Sequence, residues 1–142
     1  MPLIGTVSEQ QVDVEIVERS FLRGHEEVIP SNLESRIRKM LDRGFYKPII
    51  VDEVTMVILD GHHKWTAAGD LKLDRVPVVK VDYLRDPGVL VDVWPGCGKE
   101  KITKEDVIEM GVSGKVFPPK TSRHKFPFEV PDISIPLDIL RG

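Results

Sequence analysis

The sequence predicts a compact α/β domain. Short β-rich apolar runs recur along the chain, two segments carry helix-starting signals, and the two patterns alternate rather than segregate. The length of 142 residues fits one domain with a modest single core, so residues 1–142 are expected to form one unit. An extended, proline-rich segment is expected from about residue 116.

Val12, Val14 and Ile16 alternate with Asp13 and Glu15, the period-two pattern of a half-buried strand. Arg23-Gly24-His25-Glu26-Glu27 reads as a polar turn. Ser31-Asn32-Leu33-Glu34 has the form of a capping box, and the helix it opens places Leu33, Ile37, Met40 and Leu41 on one face, ending near Arg43-Gly44. Pro48–Val51 and Thr55–Leu59 read as two strands joined around Asp52-Glu53, followed by a short helix after Gly61. Val76–Val81 is a further strand, Asp86-Pro87-Gly88 a turn, and Val89–Trp94 another strand. Thr103 caps a second helix, with Asp106 in the reciprocal position and Ile102 placed to staple to Val107. Beyond Val116 the prolines exclude long helices.

Bulk properties narrow the function. A net charge of −3 does not favour non-specific nucleic-acid binding. No apolar run approaches the length of a membrane span, and Met1-Pro2-Leu3 opens no signal-peptide pattern. Cys97 is the only cysteine, so no internal disulfide forms. These features predict a cytoplasmic protein without nucleic-acid or membrane partners.

Two clusters carry chemistry. In Ile58-Leu59-Asp60-Gly61-His62-His63-Lys64-Trp65 a strand ends in Asp-Gly and feeds a helix, which places free backbone N–H groups, a partial positive dipole and two imidazoles at one point. That point suits an anion, most obviously a phosphate. Adjacent helical histidines point about 100° apart and rarely share one ion, and no His-x-x-x-His or Cys-x-x-Cys accompanies them, which argues against zinc. The second cluster runs from Lys115 to Phe128 without an acidic residue. Inside it Lys120, Thr121, Ser122, Arg123 and His124 offer two cations, two hydroxyls and an imidazole, a set suited to a carboxylate or phosphate. Together the clusters predict a ligand with two anionic groups. Glu26 is a third candidate, as a general base for a hydroxyl or a holder of Mg²⁺. Trp94, before Pro95-Gly96, is placed to form a pocket wall.

The order strand, Asp60-Gly61-His62-His63-Lys64-Trp65, helix, strand resembles the ParB/sulfiredoxin superfamily, a small mixed sheet with short helices. Within it the chain is similar to the free L-serine kinases of archaea. The resemblance is carried by His25-Glu26, Asp60–Trp65, Trp94 and Phe117–His124, and extends from about Val14 to His124. It implies a nucleotide-dependent kinase that phosphorylates free L-serine to O-phosphoserine for cysteine synthesis, with ADP or ATP as donor and Mg²⁺ bridging the phosphates. Glu26 would be the catalytic base, and Asp60 would sit between phosphates, metal and nucleophile. Gly61, His62, His63 and Lys64 would hold the nucleotide phosphates. Trp94 and Lys120, Thr121, Ser122, Arg123 and His124 would surround serine, with Arg123 clamping its carboxylate.

Two departures stand out. Lys64 occupies a place where the superfamily commonly has Arg, and little chain lies between Trp94 and Thr103, where some serine kinases carry a large insertion. Sulfiredoxin needs a Cys where His62 stands, and a ParB partition protein needs a helix-turn-helix domain. A non-catalytic nucleotide or serine sensor, or a kinase for another hydroxylated metabolite, are the alternatives that use the same pocket.

Overall fold

A mixed four-stranded sheet organises the molecule, in the order β1 (Glu15–Glu18), β4 (Arg75–Val81), β2 (Ile49–Asp52), β3 (Ile58–Asp60). The computed structural model describes residues 12–142, and the Met1-Pro2-Leu3 start lies outside them. β1 runs antiparallel to β4, β4 parallel to β2, and β2 forms an antiparallel hairpin with β3. A separate antiparallel ladder joins β5 (Leu90–Val93) to β6 (Ser122–Lys125).

Side-chain alternation along the central strands feeds two apolar clusters. Ile49, Val51, Ile58, Val76 and Val78 pack with Met40, Phe45, Ala67 and Ala68, from and beside α1 (Pro30–Arg43) and α2 (His62–Asp70). Their neighbours Ile50, Leu59, Val79 and Val81 turn to the other side and pack with Tyr83, Val89, Ile102 and Val107 near α3 (Lys104–Ser113). A central sheet covered on both faces explains why β2 and β4 read as nearly continuous apolar runs. Among the described residues no helix is long and apolar enough to cross a membrane.

Several local expectations change. Val12 and Val14 pack against the second cluster, but Ile16 is 46% exposed and Val17 packs on the first, because the strand proper begins only at Glu15 and lies on the sheet edge. The Ser31 capping box does not form. Ile29 is the N-cap and Pro30 the first helical residue, where its fixed φ and missing N–H cost nothing. Glu34 instead pairs with Arg38 one turn on. Leu41 is 62% exposed, so the buried face of α1 is Leu33, Ile37 and Met40.

β3 starts at Ile58 rather than Thr55, since Asp52 Oδ2 accepts both the N–H and the hydroxyl of Thr55 and holds it in the turn. The expected polar turn at Arg23–Glu27 is extended chain: Arg23 bridges Val57 and Glu26 bridges Phe117. The C-terminal stretch holds one strand, β6, and a single helical turn, α4 (Leu137–Leu140), which follows Pro136.

The capping box at α3 forms as expected. Thr103 Oγ1 accepts the Asp106 N–H at 3.1 Å and Asp106 Oδ2 accepts the Thr103 N–H at 3.0 Å. Thr103→Ala is therefore expected to lower stability by about 1 kcal/mol. Ser31→Ala, at the box that does not form, should change it by less than about 0.5 kcal/mol. Urea unfolding of both variants checks the contrast.

Candidate functional site

The turn between β3 and α2 builds the first half of the site. Gly61 has φ +110°, and a Cβ there would lie 3.1 Å from Ile49 Cγ1, so the turn needs glycine for its backbone and for its space. α2 begins at His62, and the first N–H groups of a helix lack an intrahelical acceptor. In front of this helix start lies a pocket of ≈ 320 Å³ lined by Asp60–Lys64 together with Arg36 and Lys39 of α1 and Tyr46-Lys47. Four cations thus face one carboxylate, Asp60. Lys64 is buried, which pulls its pKa down against the opposing pull of Asp60, and its Nζ reaches the Pro48 carbonyl at 3.4 Å. Trp65 has an anchoring role: its indole N–H donates to the Arg19 carbonyl, and the Arg19 guanidinium lies over its ring and donates to its carbonyl.

The second half is organised around Glu26. Oε2 accepts the Lys120 N–H at 3.2 Å. Oε1 accepts the N–H groups of Thr121 at 3.2 Å and Ser122 at 2.8 Å, and the Ser122 hydroxyl at 3.1 Å. Lys120 has φ +56°, the left-handed conformation that turns successive N–H groups toward one anion. Burial raises the Glu26 pKa, while these donors from Ser122, Thr121 and Lys120 pull it back.

The two halves are tied by histidines. The His25 N–H donates to His62 Nε2 at 3.0 Å, and the Ile29 N–H donates to His63 Nε2 at 3.0 Å. The His25 and His62 rings meet edge to face at 4.5 Å. Burial depresses the pKa of all four histidines: His25 to about 4, His124 to about 3, His62 well below its ordinary value, and His63 with help from Arg36 and Lys120. They are neutral at physiological pH.

This geometry divides the expected ligand set. The His62 imidazole is engaged inside the protein, so what His62 offers a phosphate is its backbone N–H. His63 Nε2 is likewise taken by Ile29. Of the second cluster, Thr121 is buried with its hydroxyl donating to Pro118 O at 2.7 Å, and His124 Nε2 meets the Tyr83 hydroxyl at 2.9 Å. Strand alternation in β6 leaves Arg123 on the opposite side, 5.0 Å from the Trp94 ring, with Lys120 Nζ at 5.9 Å from the same ring. Lys120, Arg123 and the half-exposed Trp94 are the members that remain open to a ligand. Sequence reasoning missed Arg36, Lys39, Lys47 and Tyr83. The basic run Arg36-Ile37-Arg38-Lys39 carried a signal, because i and i+3 share a helix face.

The fold and site together define a class: a small α/β protein whose strand-to-helix turn places backbone N–H groups beside a cationic pocket, an arrangement suited to an anion. No family model matches the chain. Its architecture is that of the free serine kinase structures. A free serine kinase variant in complex with ADP superposes with a TM-score of 0.83 at 20% identity, covering 93% of this chain and 95% of that one. SbnI from Staphylococcus aureus, with a C-terminal truncation, gives a TM-score of 0.71 at 12% identity, covering 89% of this chain and 88% of that one.

By sequence the chain is similar to named L-serine kinases over part of their length. It is 31% identical over 93 residues to the ADP-dependent L-serine kinase of Thermococcus kodakarensis, 62% of this chain and 38% of that protein. It is 30% identical over 90 residues to the ATP-dependent L-serine kinase of Staphylothermus marinus, 60% of this chain and 35% of that protein. A ParB-like protein of Sulfolobus acidocaldarius is 44% identical over 62 residues, 44% of this chain and 31% of that protein. The matched part thus spans between 31% and 38% of these relatives' length. The small mixed sheet with short helices expected from the sequence is the architecture observed.

The neutral histidines make stability depend on pH. His25 titrates at about 4 and His124 at about 3 in the folded chain, against 6.5 when unfolded. As the pH falls the unfolded chain takes up protons first. The histidine contribution is therefore fully present above 6.5 and is lost through the window down to about 3. The melting temperature is expected to fall between about pH 7 and about pH 5, before ordinary carboxylates titrate. His124→Gln should flatten that slope in a thermal-shift titration.

Proposed function

We propose that the chain is a small-molecule kinase transferring the terminal phosphate of ADP or ATP to the hydroxyl of free L-serine, giving O-phospho-L-serine. The observation that carries this reading is Glu26, a carboxylate held by backbone N–H groups beside a cationic phosphate-type pocket. The names of the relatives support it, and they include both ADP- and ATP-dependent enzymes. We take residues 1–142 to act as one catalytic domain in the cytoplasm, with the product feeding cysteine biosynthesis.

The N–H groups of His62, His63 and Lys64 and the side chains of Lys64, Arg36, Lys39 and Lys47 bind the donor phosphates. Glu26 takes the proton of the serine hydroxyl through Oε2, which has one donor where Oε1 has three. The serine oxygen then bonds to the terminal phosphorus as the bridging P–O bond to the nucleotide breaks. Positioning and charge neutralisation supply most of such catalysis. Arg123 and Lys120, beside Trp94, hold the serine carboxylate.

Among the described residues no group of three His, Cys, Asp or Glu side chains is placed to hold a metal. A lone Asp60 at the pocket suits Mg²⁺ bound chiefly by phosphate oxygens and water. When bound, the ion would neutralise phosphate charge.

Incubation with L-serine, Mg²⁺ and either nucleotide, followed by phosphorus NMR, should yield O-phosphoserine and identify the donor. Nucleotide binding without product from either donor would instead mark a binding regulator. Glu26→Gln is expected to lower kcat by about 10²–10⁴-fold. Arg123→Ala should raise KM for serine roughly tenfold with a smaller effect on kcat.

A further inference from the structure

Ser122 lies at the centre of a chain of polar groups that the proposed reaction does not use directly. Its hydroxyl is 3.1 Å from Glu26 Oε1 and 2.9 Å from His25 Nε2. His25 is fully buried, and its backbone N–H is itself bound to His62 on α2. The geometry points to Ser122 as a positioning residue: backed by His25, it gives its single hydroxyl proton to Glu26 Oε1 and so turns Oε2 toward the acceptor hydroxyl. This inference rests on the kinase reading of Glu26, and it replaces the expectation that the Ser122 hydroxyl contacts the substrate.

Proton counting supports the assignment. A hydroxyl has one proton to donate and can accept others. With Glu26 ionised, its Oε1 must receive the Ser122 proton, since two oxygens at 3.1 Å without a proton between them repel. Ser122 Oγ is then free to accept from His25 Nε2–H. The Ile58 carbonyl favours a proton elsewhere on the His25 ring, but Nδ1 makes no hydrogen bond of good geometry among the described residues, whereas Nε2 does. With the proton on Nε2, both contacts of the Ser122 hydroxyl pair a donor with an acceptor. The backbone donors from Thr121 and Ser122 converge on the same Oε1, so the hydroxyl completes a three-donor grip on one oxygen.

The titratable groups around Glu26 do not obscure a test. His25 on the same extended segment, His62 and His63 on α2 and His124 on β6 are all held toward neutrality, and Lys120 carries the nearby charge on the loop before β6. The experiment is a ¹³C NMR titration of the Glu26 carboxyl in the wild-type protein, Ser122→Ala and Ser122→Thr, with kcat and KM for serine measured across pH.

Losing the hydroxyl donor should raise the Glu26 midpoint and move the acidic limb of the rate profile to higher pH. It should also lower kcat roughly tenfold to a hundredfold, with KM for serine nearly unchanged. Ser122→Thr, which keeps the hydroxyl, should restore the wild-type midpoint and most of kcat. An unmoved midpoint in Ser122→Ala overturns the inference, as does a raised KM for serine with kcat preserved. If the wild-type protein makes no O-phosphoserine, the kinase reading fails, and the NMR titration still decides whether Ser122 holds Glu26.

Discussion

The bond from the His25 N–H to His62 Nε2 sets the relation between the two halves of the site. It is buried, so breaking it would leave a polar group without a partner, at a cost larger than the net worth of an exposed bond. It anchors the extended segment that carries Glu26 against the start of α2. Four residues after His25, the Ile29 N–H does the same with His63, and Ile29 is also the N-cap from which α1 begins. One segment therefore supplies Glu26, the entry to α1 and the partners of both histidines.

Electrostatics follow from that arrangement. The imidazoles are kept neutral by burial, so they accept backbone N–H bonds instead of adding charge. The positive charge at the α2 start comes from lysines and an arginine, aided by the helix dipole. Glu26 sits in the opposite balance, where burial works against its charge and a ring of donors restores it. A carboxylate poised in this way is suited to accept a proton. Trp94, flanked by Lys120 and Arg123, forms a separate cation–π platform.

Much of the frame was legible because it is local. Thr103 and Asp106 announce α3, Gly61 announces the strand-to-helix turn, and the alternation through β2 and β4 announces a covered sheet. The failures were also local in form. Ser31 and Glu34 match a capping pattern, but Pro30 offered a better first helical residue and moved the N-cap two residues earlier, to Ile29. His25 and Glu27 make their segment look polar, yet pairing with Val57 and Phe117 draws it into the interior.

The sequence by itself determined the class of fold, the strand-to-helix turn at Asp60–Lys64, and the presence of a carboxylate at Glu26, an aromatic at Trp94 and a basic segment after Pro119. These follow from residue type and spacing along a few turns of chain. Only the tertiary structure decided which of these side chains stay open at the candidate site. It turned His62, Thr121, Ser122 and His124 to internal partners and left Lys120 and Arg123 beside Trp94. It also brought Arg36, Lys39 and Lys47 to the phosphate-type pocket. The physical reason is that burial and hydrogen-bond partners are set by segments far apart in sequence, such as Glu26 and Ser122, which no local pattern relates.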